Sequence, residues 1–279
     1  MVADFPVAVT LATWGVMLKM GELIIRRDGP VGRVIFSNPA KYNAMSFDMW
    51  MALPRALADF DADSSIRLVV LEGEGQKAFV SGADISQFES QRTDPHAQSR
   101  YNKAVEDAYL SPIACSKPVV AKIRGICMGG GLGLAAACDL RFCSEDARFR
   151  MPAARLGLGY NSVGVRRFLD VFGLQNTLDI FYTARIFNAT DAARMGFVSR
   201  VEKSDALDGM VDEWCSMVAS NAPLTLKALK LTVNELGRDA GARDMAAVKR
   251  ALDACYASDD YREGAKAFME KRAPAFRGI

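Results

Sequence analysis

The chain is nearly without histidine: His96 is the one imidazole in 279 residues. That scarcity excludes a His-rich metal centre and leaves any Ser–His or Cys–His nucleophilic pair hanging on one residue in a polar stretch. Excess charge is lacking too. The 35 basic and 33 acidic residues leave a formal +2, too little for a protein whose main partner is nucleic acid. The six cysteines (Cys115, Cys127, Cys138, Cys143, Cys215 and Cys255) form no C-x-x-C pair and mostly sit among apolar neighbours. That is the pattern of reduced thiols in a cytoplasmic or organelle-matrix protein, not of a disulfide framework. No apolar run is long enough to span a membrane. The first twenty residues come nearest, but Asp4 stands near their start and no basic segment leads into them. They read as an extension upstream of a second candidate start at Met20, with a signal peptide as the alternative.

What is present points to a large core: 50% of the residues are hydrophobic and 24% charged, and a chain of this size buries roughly three quarters of its unfolded surface. Residues 22–27 and 32–36 are β-rich runs joined by Asp28-Gly29-Pro30, a hairpin signal. Asn38-Pro39 breaks the chain, and Ser46 is placed to cap a helix to about Asp63, its apolar face formed by Met49, Leu53, Leu57 and Phe60, with a kink expected at Pro54. Residues 66–71 and 118–123 are continuous apolar strands of the kind buried on both faces. Short strands are expected at 78–80, 140–143 and 147–151, and residues 88–103, which include His96, as a polar surface loop or lid. Beyond residue 163 the pattern is helical: 163–172, 174–184, 190–196, 206–220, 223–237, 242–257 and 260–272. The fold class is therefore α/β with a helical C-terminal region, divided as an extension (1–20), an α/β core (21–200) and C-terminal helices (201–279).

Two local features invite chemistry. Phe79-Val80-Ser81-Gly82-Ala83-Asp84 runs from a strand into a turn, and Gly125 through Gly131 ends a strand, passes three consecutive glycines and opens a small-residue helix. Glycines there let a ligand approach the backbone, and a helix start presents unpaired N–H groups to negative charge. Two such N–H groups converging would form an oxyanion hole. Asp84 reads as a turn residue, Asp139 as a structural carboxylate, and Cys127 and Met128 as core or pocket lining.

The segments NPAKYNAMS, AFVSGADISQF, KPVVAKIRGICMGGGLGLAAACDL, FRMPAARLGLG, ATDAARMGFVSRV and EGAKAFMEKRAPAF occur in that order. Together they resemble the crotonase (enoyl-CoA hydratase/isomerase) superfamily over about residues 21–279. The resemblance implies a spiral of ββα turns, with trailing helices that build trimers often paired into hexamers. It implies acyl-CoA thioester substrates, with coenzyme A as part of the substrate and no separate cofactor. By the family motif, the N–H groups of Ala83 and Gly130 hold the thioester oxygen as an enolate forms. Lys41 and the Ser81-Gly82-Ala83 backbone match nucleotide and pantetheine contacts. Phe268 and Lys271 match coenzyme A-binding positions, commonly across a subunit boundary.

The chain also departs from the pattern. The two glutamates with which hydratases of this family activate water correspond to Gly133 and Ala153, so efficient crotonyl-CoA hydration is not expected. The second of these positions also carries the isomerases' single glutamate. The stretch Leu158-Gly159-Tyr160-Asn161 resembles a segment of methylmalonyl-CoA decarboxylase, where a tyrosine faces the reacting acyl group. Tyr160 and Asn161 are accordingly candidate site residues, or else simply the lead-in and cap of the next helix. The decarboxylase has histidine where this chain has Ala83. Three readings stand: an enolate-forming acyl-CoA enzyme of the hydratase/isomerase type, a decarboxylase-like lyase, and a catalytically silent acyl-CoA-binding oligomer.

Overall fold

The turn at Asp28-Gly29-Pro30 joins β1 (Glu22–Asp28) to β2 (Val31–Ser37) as an antiparallel pair in a computed structural model that describes residues 21–84, 86 and 95–279. The N-terminal extension and the 88–94 part of the expected lid lie outside the described residues. Ser46 caps α1 (Phe47–Ala62) by accepting from the Met49 N–H at 3.2 Å. The helix buries Met49, Trp50, Leu53, Leu57 and Phe60 as one stripe, the i, i+3, i+4 periodicity that the sequence carries.

From there the chain repeats one move. It lays a strand in a larger sheet, crosses to a smaller sheet, and returns through a helix. β3 (Leu68–Gly73) is followed by β4 (Ala78–Val80) and α2 (Pro95–Ala114); β5 (Val119–Ile123) by β6 (Ile126–Met128) and α3 (Gly130–Ala137); β7 (Leu140–Ser144) by β8 (Arg148–Arg150) and α4 (Ser162–Thr183). The turn closes with β9 (Phe187–Asn188), α5 (Ala189–Arg194) and β10 (Arg200–Glu202). The larger sheet has the order β1-β2-β3-β5-β7-β10 and the smaller β4-β6-β8-β9. Parallel pairing runs through the larger sheet beyond the first hairpin and joins β4, β6 and β8. This is the spiral of ββα turns that the resemblance implies.

Residues 95–103 are not a loop. They form the first half of α2, whose buried Ala97, Tyr101, Ala104 and Ala108 pack it against α1. Their spacing of four, three and four is helical, but alanine and tyrosine make a weak hydrophobic stripe among polar neighbours. His96 sits exposed in its first turn. Helix α4 keeps the break that the sequence suggests, with Gly173 at φ 70°, ψ 171° between its two halves.

One face of the larger sheet is covered by α6 (Leu207–Ala219), which buries Leu207, Val211 and Cys215 against Leu68, Val70, Val120 and Phe142. Helices α7 (Pro223–Leu236), α8 (Met245–Ala257) and α9 (Asp259–Glu270) follow. Lys230 ties α7 to the core by donating to the Pro112 and Lys117 carbonyls and to Asp139, which also accepts from the Val119 N–H. Asp139 is thus the structural carboxylate expected of it. Helix α8 buries only Val248, and Met245, Leu252, Tyr256, Phe268 and Met269 stand exposed along α8 and α9. No described helix is long and apolar enough to cross a membrane.

Candidate active site

Strands β4 and β6 are parallel neighbours, so their C-terminal ends emerge side by side. Beyond β4 the chain passes through Ser81 and Gly82 to Ala83; beyond β6 it passes Gly129 and begins α3 at Gly130. A Cβ on Gly131 would lie 2.2 Å from the Val80 carbonyl oxygen, so α3 seats against the end of β4 only because that position is glycine. A Cβ on Gly82 would lie 3.8 Å from the Gly130 nitrogen, a measure of how closely the two turns approach. The Ala83 turn is pinned by its neighbours: Met45 N–H donates to Gly82 O at 2.8 Å, and Asp84 N–H to Met45 O at 2.9 Å. Neither the Ala83 nor the Gly130 N–H donates to another described residue.

Ala83 and Gly130 both line a cavity of about 660 Å³, of the size that small-molecule sites take. Trp50 from α1 and Tyr101 and Tyr109 from α2 wall it on one side, Met151, Ala153 and Leu158 on another, and Tyr160 and Asn161 complete it. Among the described lining residues there is no carboxylate, imidazole or amine; Gln98, Asn102 and Asn161 supply neutral amides. Glu89 and Asp94 belong to the segment outside the described residues.

The space beside Gly133 is already taken. A Cβ there would stand 2.5 Å from both the Tyr109 and the Tyr160 hydroxyl oxygens, closer than any contact that leaves neighbours in place. Tyr109 Oη donates to the Gly130 carbonyl at 3.2 Å and lies 3.2 Å from Tyr160 Oη. With one proton on each hydroxyl, Tyr109 bonds the carbonyl while accepting from Tyr160, or turns its proton to Tyr160 and frees Tyr160 to donate into the cavity. Burial pushes the Tyr160 phenol up to about 12, against the small opposing effect of its bond from Tyr109. Burial also drives Tyr109 well above its ordinary value, reinforced by Tyr160. Both phenols are therefore protonated at neutral pH, as donors and not bases.

Of the residues singled out from the sequence, Ala83, Gly130, Tyr160 and Asn161 meet at this cavity, and Gly82 lines its edge. Asn161 has a second duty: its Oδ1 accepts from the Gly164 N–H at 2.8 Å and caps α4, which leaves both hydrogens of its amide nitrogen and one oxygen lone pair for a ligand. Lys41 and Ser81 do not line the cavity but bond to and around the Ala83 turn. Lys41 Nζ bonds Asp84 at 2.8 Å and Ser86 Oγ at 2.7 Å, and Ser81 Oγ donates to the Lys41 carbonyl at 3.0 Å. Burial works to raise Asp84, but its bonds from Lys41 and Ser86 outweigh it and hold the carboxyl below its ordinary range. Asp84 thus braces the turn as an ion-pair partner. Phe268 and Lys271 do not reach the cavity within this chain; Phe268 is 83% exposed on α9. Cys127 is fully buried, and burial raises its thiol well above the ordinary value, which removes it as a nucleophile. Trp50, Tyr101 and Tyr109 were missed from the sequence. For Trp50 the signal was a place on α1's buried stripe, which equally describes core; for the tyrosines it was the unrecognised helix.

The family model for enoyl-CoA hydratase/isomerase matches residues 26–278. Similar curated proteins include the peroxisomal Delta(3,5)-Delta(2,4)-dienoyl-CoA isomerase of Arabidopsis thaliana, 32% identical, with 91% of this chain and 95% of the relative covered. A short-chain-enoyl-CoA hydratase of Clostridium acetobutylicum is 29% identical over 91% of this chain and 97% of its own. Among solved structures, an enoyl-CoA hydratase/carnithine racemase from Magnetospirillum magneticum superposes with a TM-score of 0.86 at 32% identity, covering 92% of this chain and 96% of that one.

Proposed function

Because the chain belongs to the enoyl-CoA hydratase/isomerase family, we propose that its cavity binds an acyl-CoA thioester and stabilises the enolate through the Ala83 and Gly130 N–H groups, without a carboxylate at the two water-activating positions. The observation that carries this reading is the pair of uncommitted amides at adjacent strand ends, on residues that line a cavity with no carboxylate among its described lining residues. Negative charge growing on the thioester oxygen meets two preorganised donors, one of them at a helix start. The enolate forms as water adds to the β-carbon of an enoyl ester, the water's proton replacing the one that Tyr160 gives up, or as a malonyl-type ester loses carbon dioxide; either way a proton must then reach the enolate carbon. Tyr160, protonated and able to receive a proton from Tyr109, is the donor the cavity offers.

The same lining favours decarboxylation as the second reading. A malonyl-type substrate brings its own carboxylate, which a wall of neutral amides and phenols accepts without like-charge repulsion. Loss of carbon dioxide generates the enolate directly, so no base is required. Tyr160 and the Asn161 amide nitrogen would hold the departing carboxylate, with the absence of histidine at Ala83 as the difference from the decarboxylase pattern. A panel of enoyl-, malonyl- and methylmalonyl-CoA thioesters separates the readings. Turnover of a malonyl-type ester supports decarboxylation, and turnover confined to enoyl esters supports the isomerase/hydratase reading. Tight binding with no turnover of any would overturn both in favour of a silent acyl-CoA-binding protein.

An oligomer is part of this proposal, as trimers or pairs of trimers. Helices α8 and α9 expose Leu252, Tyr256, Phe268 and Met269, large apolar side chains of the kind that interfaces between subunits cover. A second subunit packed there would also bring Phe268 and Lys271 to a neighbour's substrate. Light scattering is expected to report at least three chains; a monodisperse species of one chain at micromolar concentration would overturn this.

A further inference from the structure

Trp50 is fully buried on α1, yet it borders two separate cavities. On one side it walls the cavity that holds the Ala83 and Gly130 amides; on the other it closes a groove of about 420 Å³ between α1 and α2. That groove is lined mainly by apolar side chains of both helices, among them Met51, Pro54, Leu57 and Leu110, with the carboxylates of Asp61 and Asp107 also on its wall. The indole is held tightly against the reacting centre. A Cβ on Gly130 would meet its Cζ2 at 3.0 Å and its Cη2 at 3.2 Å, and its ring stands edge-on to Tyr109 at 5.9 Å between centroids. Its Nε1–H is buried with no hydrogen-bond partner among the described residues. A tryptophan whose polar atom bonds no described residue serves this position by its bulk.

We propose that Trp50 is the residue that sets acyl-chain length, its indole being the partition that ends the acyl site and keeps the substrate class to short acyl-CoA esters. This rests on the acyl-CoA reading above. With tryptophan in place, a chain leaving the thioester carbonyl meets the ring directly beneath Gly130 and cannot pass between α1 and α2. With a small residue there, the two cavities join, and an alkyl chain runs from the thioester into the apolar groove. Each methylene newly taken out of water strengthens binding about fourfold.

The test is the affinity of the intact protein for saturated acyl-CoA esters from butyryl to dodecanoyl, measured by calorimetry with free coenzyme A as reference. The wild type is expected to bind butyryl- and hexanoyl-CoA more tightly than dodecanoyl-CoA. Trp50→Ala should shift the dodecanoyl-to-butyryl affinity ratio by at least about tenfold toward the long chain. Trp50→Leu, which keeps an aliphatic filling and guards against a variant that does not fold, should shift it in the same direction by less. Equal affinity for long and short esters in the wild type, or an unchanged ratio in the folded variants, overturns the proposal while leaving the acyl-CoA reading intact. If no ester binds the wild type better than free coenzyme A, the acyl-CoA reading itself fails and the proposal falls with it.

Discussion

Crotonyl-CoA hydration by the wild-type protein is expected to run at least about a hundredfold below that of a relative with both glutamates, because positioned acid–base groups contribute typically 10²–10⁴-fold. Hydration needs one group to take a proton from water and another to deliver one to carbon. By the resemblance, the positions that carry those groups correspond to Gly133 and Ala153. The titratable side chains among the described lining residues are tyrosines, and burial raises both Tyr109 and Tyr160, so neither takes a proton from water at neutral pH. The rate is read from the loss of enoyl absorbance. A turnover above about 100 s⁻¹, well within the ordinary enzyme range, would mean that a base is supplied from elsewhere. Replacing Gly133 with glutamate is not expected to rescue the activity. Its Cβ would collide with two hydroxyls at 2.5 Å, so Gly133→Glu should lower the melting temperature and displace the Tyr109–Tyr160 pair before any carboxylate reaches the substrate. A folded Gly133→Glu variant with raised hydration and unchanged stability would overturn this account of the site.

The second large effect is a loss of stability in mild alkali. Five thiols are buried, and burial raises each: Cys115 and Cys215 to about 11, Cys138 and Cys143 to about 12, and Cys127 well above its ordinary value. In the unfolded chain each ionises near 9. The folded state therefore keeps protons that the unfolded state loses, and stability must fall as pH rises from about 9 toward the folded values. At pH 10 each thiol costs about 1.4 kcal/mol, so five cost on the order of 7 kcal/mol, comparable with the whole stability of an ordinary domain. Lys117 and Arg141, both lowered by burial, act in the opposite direction, but they are two groups against five, and Arg141 gains force only near pH 10. Urea midpoints measured under reducing conditions at pH 7.5, 9 and 10 are expected to fall by the equivalent of about 2 kcal/mol between the first two and to drop more steeply at the third. An unchanged midpoint at pH 10 would show that the thiols are not held as described.

Much of this protein was legible from local chemistry. The hairpin at Asp28-Gly29-Pro30, the Ser46 cap, the break at Gly173 and the doubly buried strands at 68–73 and 119–123 all follow from signals carried by a few neighbouring residues. Turn geometry, capping and hydrophobic period act over one or two turns of chain. The glycine run likewise marked where a helix would meet a strand end, since Gly131 admits no side chain against Val80. The three-residue strands β6 and β10 carry too little periodicity to be read alone; they exist because a parallel neighbour supplies hydrogen bonds. Helix α2 was hidden because its buried stripe is alanine and tyrosine. Only the tertiary structure decided the site's character. The order of strands brings residues 109, 133 and 160 together, so a position read as a missing carboxylate proves to be filled by two phenols. It also sets residue 50 between two cavities. The physical reason is range: propensity and pattern set what a segment becomes, whereas steric exclusion between segments far apart in sequence depends on how the strands are ordered, which no local signal carries.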